Sequence, residues 1–176
     1  MPLKRLVEAI ALLTVLLALT ASAGQPPALQ AGDLPPDDLG RDGSGNRIHL
    51  SDYHGKIVIV SFWASWCGPC RKELPVLASI QKIGTRDRIV VFAVNWREER
   101  ERFIQIKRVL KTENLTLVSD ESGRYGAKYG VNGIPHMVII GRDGRIASVH
   151  IGYGEGQIPE LVDEINGLWN TPVASP

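Results

Sequence analysis

Two almost entirely apolar segments, with a helical segment between them, constrain the fold more than any other feature of this sequence. The first is KIVIVSFW at residues 56–63, and the second is IVVFAV at residues 89–94. Strands that are apolar at consecutive positions are typical of a parallel or mixed sheet that is covered on both faces. Residues 70–83 lie between them, and four apolar residues recur there at helical spacing, namely Val76, Leu77, Ile80 and Ile83. This order predicts a βαβ unit.

Turns and further periodic segments surround this unit. Residues 42–45 form a turn-rich tetrad between two short segments, which predicts an N-terminal β-hairpin. Residues 98–110 predict an amphipathic surface helix, and a brief strand follows at residues 116–118. We interpret the charged run REERER, at residues 97–102, as a solvated helix face.

The last third of the sequence predicts the remaining strands and a closing helix. The segment IPHMVII, residues 134–140, is joined by the turn GRDG to residues 145–150, which indicates a second hairpin. Apolar residues then recur at helical spacing through residues 158–168. We therefore expect an α/β fold in which a mixed central sheet is flanked by helices.

The N-terminal residues have the composition of an export signal. Lys4 and Arg5 precede an apolar run at residues 9–19, and Ala21-Ser22-Ala23 matches the small-residue pattern of a signal peptidase site. We expect residues 1–23 to be a cleaved signal peptide, and an uncleaved membrane anchor is the alternative. A linker at residues 24–33, one domain at 34–170 and a disordered tail at 171–176 complete the expected organisation.

Charge and cysteine content narrow the classes of function. The 20 basic and 19 acidic residues give a net charge of +1, so the chain has no basic excess with which to bind nucleic acid. A single domain of this length buries a sufficient core, and we expect a monomer.

The two cysteines are separated by only two residues, so a disulfide between them would restrict the unfolded chain very little. The cysteine pair therefore indicates a chemical role rather than stabilisation of the fold.

Cys67 and Cys70 stand where the first apolar strand passes into the helix. This spacing at a helix start suits interconversion between a dithiol and a disulfide. Unpaired N–H groups and the helix dipole favour negative charge there, which lowers the pKa of a thiol. We therefore predict that Cys67 is the nucleophile and that Cys70 resolves the mixed disulfide. The alternatives are an inert disulfide or half of a zinc site.

The sequence resembles the thioredoxin superfamily, and within it the TlpA/ResA-like branch of exported reductases. The residues that carry the resemblance are the run FWASWCGPC, then Glu73-Leu74-Pro75, Gly133-Ile134-Pro135 and the sequence GRDGR. The resemblance covers residues 34–168. It implies a thioredoxin-like fold with an N-terminal β-hairpin and an inserted helix-strand element. It also implies that Pro135 is cis and faces the cysteine pair, whereas an ordinary trans proline is the alternative.

The resemblance also assigns residues to substrate binding. Trp66 is expected to shield the disulfide and contact partner proteins, and Ile134, Pro135 and His136 are expected to line the substrate site. His136 stands where the family more often has a small hydroxylated residue. A purely structural, hydrogen-bonded histidine is the alternative for that position.

Glu73 is the third predicted catalytic residue. Thioredoxin carries a buried aspartate six residues before its first cysteine, whereas this chain has Ser61 at that position. The exported branch typically has a glutamate three residues after the second cysteine, which here is Glu73. A partly desolvated carboxyl group there could shuttle protons to the thiols. The alternative is a solvated charge, or a salt bridge to Lys72 or Arg71.

The function implied by the resemblance is reduction of disulfides in exported proteins, with electrons supplied by a membrane thiol carrier. The expected location is periplasmic or extracytoplasmic, and apocytochrome c is one expected substrate. No cofactor is expected beyond the redox-active disulfide of Cys67 and Cys70. Three alternatives remain open: a thiol oxidant, an interaction domain with vestigial cysteines, and a copper-binding module that uses the soft ligands Cys67, Cys70, His136 and Met137.

Overall fold

A computed structural model describes residues 29–109 and 114–171 of the chain. It contains two sheets, four α-helices and two short 3-10 helices within these ranges. In chain order the strands and α-helices are β1 (Asp38–Arg41), β2 (Arg47–His49), β3 (Ile57–Trp63), α1 (Gly68–Arg88), β4 (Ile89–Trp96), α2 (Arg100–Val109), β5 (Thr116–Asp120), α3 (Arg124–Lys128), β6 (His136–Ile140), β7 (Ile146–Ile151) and α4 (Ile158–Asn170).

The central sheet has five strands in the order β5-β4-β3-β6-β7. Strand β3 pairs in parallel with β4, and α1 connects the two, so the predicted βαβ unit is confirmed. Strand β6 pairs antiparallel with the other side of β3, and β7 continues the sheet antiparallel to β6. The mixed sheet that the sequence predicts is therefore confirmed, and β3 is its central strand.

Two layers of side chains pack on the two faces of this sheet, because successive residues of a strand point to opposite sides. We call the face that carries Ile57, Ile59, Ser61 and Trp63 the cysteine face, since both cysteines belong to its core cluster. Helices α1, α2 and α4 pack on it through buried apolar side chains. We call the opposite face, with Val58, Val60 and Phe62, the hairpin face, because the β1-β2 hairpin and α3 cover it.

The N-terminal β-hairpin lies where the sequence predicts it. Strands β1 and β2 pair antiparallel, and Leu39 and Ile48 join the core of the hairpin face. Contacts with the domain begin before the expected boundary at residue 34, since Leu29 packs against the same core and Gly32 donates its N–H to the carbonyl of Ile146 at 2.8 Å. The last residues assigned to the linker thus lie against the domain.

Helix α1 is longer than predicted and its buried stripe differs from the predicted one. Ile83 is exposed, and Gln81 continues the buried stripe instead. The Gln81 side chain donates to the carbonyl of Ile89 at 2.6 Å and accepts the N–H of Val91 at 2.8 Å. These bonds satisfy backbone groups at the start of β4, which explains why a polar residue occupies the position.

Several predictions fall outside the described residues. The signal peptide at residues 1–23, the first part of the linker and residues 172–176 of the tail belong to this group. In the described ranges, no helix combines the length and the apolar composition needed to cross a membrane.

Candidate active site

Cys67 and Cys70 form a disulfide at the junction between β3 and α1. Their Cα atoms lie 5.3 Å apart. Cys67 occupies the N-cap position of α1, and Pro69 lies in its first turn, where the absent N–H of proline leaves no helical bond unmade. The local sequence therefore places both sulfur atoms at the carboxyl end of the central strand.

The two cysteines have different surroundings. The Cys67 sulfur accepts the backbone N–H of Cys70 at 3.2 Å, and its side chain is 5% exposed, whereas Cys70 is fully buried. In the reduced protein the same N–H group would stabilise a thiolate on Cys67, which is the usual basis of a lowered thiol pKa at a helix start. This geometry favours Cys67 as the attacking thiol and Cys70 as the resolving one, as predicted from their order.

The loop before β6 faces the disulfide. The peptide bond between Ile134 and Pro135 is cis, which is the isomer that the resemblance implied. The Ile134 carbonyl oxygen lies 3.8 Å from the Cys67 sulfur. Gly152, just beyond β7, donates its N–H to the Pro135 carbonyl at 2.8 Å and so ties this loop to the edge strand. Ile134 and Pro135 therefore lie opposite Cys67, where the sequence predicts the substrate site.

Trp66 is the prominent exposed apolar side chain beside the disulfide. It is 64% exposed, although it directly precedes the buried Cys67. Large exposed aromatic side chains are common anchors in protein interfaces. Its position suits the predicted contact with partner proteins.

The structure buries Glu73 on the cysteine face. Its side chain is 2% exposed and its carboxyl oxygen Oε2 accepts a hydrogen bond from the Ser61 hydroxyl at 2.7 Å. Glu73 is therefore neither a solvated helix charge nor, within the described residues, a partner of Lys72, whose ammonium group binds Glu155 instead. Ser61, which stands in the place of the thioredoxin aspartate, is the hydrogen-bond donor to the glutamate.

Burial also changes the acidity of Glu73. It raises the pKa of this carboxyl group from 4.5 to about 7, and the hydrogen bond from Ser61 opposes part of that rise. The carboxyl group can thus gain and lose a proton near neutral pH, one helical turn beyond Cys70. Its catalytic role stays a prediction, but its position and pKa suit proton exchange with the thiols.

The expectation that His136 contacts the substrate does not fit its position. His136 pairs in register with Phe62, and their rings meet edge to face at a centroid distance of 6.1 Å. Because paired residues share a face, its side chain lies on the hairpin face, away from the cysteines, and it is only 3% exposed. Burial lowers the pKa of His136, and neither ring nitrogen has a hydrogen-bond partner among the described residues. Within residues 29–109 and 114–171 the side chain is thus buried without a hydrogen bond, which also differs from the hydrogen-bonded histidine of the alternative.

The ligand set of the copper alternative is not brought together either. Met137 packs in the cysteine-face core, but His136 points to the opposite face of the same strand. Within residues 29–109 and 114–171, no group of three or more His, Cys, Asp and Glu side chains is arranged to hold a metal ion.

Sequence reasoning missed a polar cluster next to the cysteines. The Glu98 carboxylate accepts hydrogen bonds from the Ser65 backbone N–H at 2.7 Å, the Ser65 hydroxyl at 2.5 Å and the Asn95 amide at 2.5 Å. Glu98 is 7% exposed, so the run REERER is not a uniformly solvated face as predicted. One signal was available: Asn95 stands near the end of β4 and Glu98 just beyond it, at the same sheet edge where the cysteines follow β3, because these strands are parallel.

Comparison with known proteins decides the family. Residues 30–165 match the Redoxin family. The chain belongs to the Redoxin family. It is 34% identical over 126 residues to the thioredoxin-like protein YneN of Bacillus subtilis, a match that covers 70% of this chain and 73% of YneN. It is 29% identical over 157 residues to the thiol-disulfide oxidoreductase ResA of Geobacillus kaustophilus, which covers 85% of this chain and 88% of that protein.

A solved structure supports the same assignment. The crystal structure of a DsbE-type thiol:disulfide interchange protein from Chlorobium tepidum superposes with a TM-score of 0.75 at 30% sequence identity. The superposition covers 81% of this chain and all of that one. The thioredoxin-like fold is thus confirmed, and this Redoxin family member is a TlpA/ResA-like disulfide oxidoreductase.

Proposed function

We propose that this protein is exported and reduces disulfides in other exported proteins through the dithiol of Cys67 and Cys70. One observation carries the proposal: the more accessible cysteine caps the N-terminus of α1 and faces the cis-proline loop, while the second cysteine is fully buried behind it. The relatives named as oxidoreductase and interchange proteins support the same type of chemistry.

The reaction proceeds in two exchange steps. The Cys67 thiolate attacks one sulfur of a substrate disulfide, so a mixed disulfide forms and the other substrate sulfur leaves as a thiolate. Cys70 then loses its proton and attacks the Cys67 sulfur, which forms the Cys67–Cys70 disulfide and releases the second substrate thiol. Two electrons pass from the dithiol to the substrate. Glu73, buried one turn from Cys70, is the group we propose to accept the Cys70 proton.

The direction of electron flow is part of the proposal. Gly68 and Pro69 between the cysteines and Ile134 before the cis-proline match the reducing members of the superfamily that the sequence resembles. A dithiol carrier in the membrane would regenerate the reduced form by the reverse exchange. An oxidant would instead require a strongly stabilised thiolate on Cys67. The reduction potential therefore distinguishes the two directions.

We expect the purified, reduced protein to accelerate the precipitation of insulin by dithiothreitol. The physical reason is that Cys67 transfers electrons to insulin disulfides faster than dithiothreitol does directly. Equilibration with glutathione should give a potential near that of thioredoxin, about −270 mV, for a reductase and near that of DsbA, about −120 mV, for an oxidant. A protein that leaves insulin precipitation unchanged and binds one equivalent of Cu(I) would contradict the proposal and favour the copper-binding alternative.

The proposed export makes a separate prediction. Cleavage after Ala23 should leave Gly24 as the N-terminal residue, since Ala21-Ser22-Ala23 is the candidate peptidase site. Mass spectrometry of the protein from an extracytoplasmic fraction measures this directly. An intact Met1 in the membrane fraction would support the anchored alternative, and an intact Met1 in the cytoplasm would contradict export.

A further inference from the structure

Glu98 is a buried acidic residue with no role in the exchange steps described so far. Within the described residues, no salt bridge joins it to a Lys, Arg or His side chain. In the same ranges its carboxylate accepts hydrogen bonds from the neutral donors of Ser65 and Asn95, and the Ser65 hydroxyl in turn accepts from Arg102 Nε at 3.4 Å. A buried charge satisfied by three short hydrogen bonds ties its donors firmly, since each would lose a charged acceptor if they moved.

These donors belong to the turn that delivers the cysteine pair. The Cys67 N–H donates to the Ala64 carbonyl at 3.1 Å, which closes a four-residue turn over residues 64–67. Ser65 is the second residue of this turn, and both its backbone N–H and its hydroxyl bind Glu98. Trp66 is the third residue and projects into solvent. Glu98 therefore holds the turn through the residue that directly precedes the exposed tryptophan.

The Glu98 carboxylate is connected to the central sheet through Asn95. Asn95 is fully buried in β4, in parallel register with Trp63 at the end of β3. Its amide nitrogen donates to the same carboxylate oxygen, Oε2, that accepts the Ser65 N–H. Glu98 thus connects a rigid strand to the turn that ends at Cys67, and the inserted element that begins with α2 starts directly beyond it.

We propose that Glu98 is a positioning residue for the exchange reaction. It holds residues 64–67 so that the Cys67 sulfur receives the Cys70 N–H and Trp66 faces an incoming protein. The inference rests on the proposed role of Cys67 as the attacking thiol. Displacement of a reacting group by about 1 Å can slow a reaction by about a hundredfold, so a rigid support of this kind has kinetic consequences.

Two substitutions of Glu98 separate positioning from charge. A glutamine can keep its carbonyl oxygen on the Ser65 N–H and the Asn95 amide and donate its own amide to the Ser65 hydroxyl. Glu98→Gln therefore keeps all three contacts, with the bond to the Ser65 hydroxyl reversed in direction, and removes the negative charge, which should leave the Cys67 thiolate as easy to form or easier. Glu98→Ala removes both, and the loosened turn should lose the contact between the Cys67 sulfur and the Cys70 N–H.

The test measures the alkylation of Cys67 by iodoacetamide from pH 5 to 9 in the reduced, full-length protein. We expect Glu98→Ala to raise the pKa of Cys67 and slow alkylation at pH 7 by about tenfold, which corresponds to a change of about one pH unit. Glu98→Gln should stay within about twofold of the parent protein or react faster. Glu99→Ala, which removes the neighbouring exposed carboxylate, is the matched control and should not change the rate.

Circular dichroism confirms that each variant is folded at the assay temperature. Should the Glu98→Ala chain not fold, Ser65→Ala provides the same test in milder form, because it removes the hydroxyl and keeps the backbone N–H. We then expect alkylation to slow by about threefold, with insulin reduction slowed at least as much. Equal shifts of the Cys67 pKa in Glu98→Ala and Glu98→Gln would show a purely electrostatic effect and overturn the proposal. Parent-like alkylation in a folded Glu98→Ala protein would also overturn it, and neither result would affect the role of Cys67 itself.

Discussion

Cys67→Ala is expected to abolish disulfide exchange, with insulin reduction falling to the rate of dithiothreitol alone. The reason is that Cys70 is fully buried and cannot reach a protein disulfide, so no second thiol in the chain can start the reaction. The measurement is the insulin precipitation rate at equal protein concentrations. Ser79→Ala, which alters an exposed hydroxyl in the middle of α1, serves as a matched control and should retain the parent rate.

Cys70→Ala should fail in a different way. Cys67 keeps its place at the helix N-cap, so the first attack proceeds, but nothing releases the substrate and a mixed disulfide accumulates. Isolating these complexes under non-reducing conditions would identify natural partners, and apocytochrome c is one proposed candidate. Substantial turnover by Cys67→Ala, or stable mixed disulfides through Cys70 instead of Cys67, would show that the roles are reversed.

The fold was predictable because its main signals are local. The segments of β3 and β4 are apolar at nearly every position, and a short apolar run of this kind is typical of a strand that is buried on both faces. The position of Cys67 and Cys70 at a helix start followed from the same pattern. Boundaries were less predictable, since tertiary contacts decide them: Leu29 packs on the domain although its neighbours have the composition of a linker.

The polar surroundings of the site were harder to predict, because they depend on which strands pair and which face a side chain occupies. In the sequence, Ser61 only marked the loss of the buried aspartate that thioredoxin has at this position. In the structure, its hydroxyl donates a hydrogen bond to Glu73. His136 follows the cis-proline directly, yet the alternation of the strand turns it to the opposite face. Glu98 stands in a charged run that is otherwise typical of a solvated helix, and only the fold brings it to Ser65.

Glu73→Gln is expected to change how stability depends on pH. The carboxyl pKa is about 7 in the folded protein, against 4.5 for an ordinary glutamate. Between these values the folded protein holds a proton that the unfolded chain has released, so the stability of the parent protein falls as pH rises through this interval and then levels off. This difference in pKa corresponds to about 3 kcal/mol in the free energy of unfolding. Glutamine carries no charge at any pH, so the variant should not lose this contribution.

Urea unfolding of both proteins with the disulfide intact, at pH 4.5 and pH 8.5, measures the effect. The free energy of unfolding of Glu73→Gln relative to the parent should rise by about 3 kcal/mol between the two conditions. Glu160→Gln, which removes a solvent-exposed carboxylate from α4, controls for the loss of one negative charge. A constant offset between Glu73→Gln and the parent would mean that the carboxyl group titrates alike in the folded and unfolded states.

The same variant tests whether Glu73 is coupled to the thiols. Above pH 7 the parent carboxylate is ionised beside Cys70, and its negative charge opposes formation of a thiolate in the pair. Glu73→Gln should therefore lower the pKa of Cys67 and stabilise the dithiol, which moves the reduction potential upward by about 30 mV for each tenfold change in equilibrium. Substrate reduction should nevertheless slow, because Cys70 loses the group that accepts its proton. A lower pKa of Cys67 combined with slower turnover is the result that a proton acceptor requires. Unchanged thiolate absorbance, reduction potential and turnover would mean that Glu73 has only a structural role, as the acceptor of the Ser61 hydrogen bond.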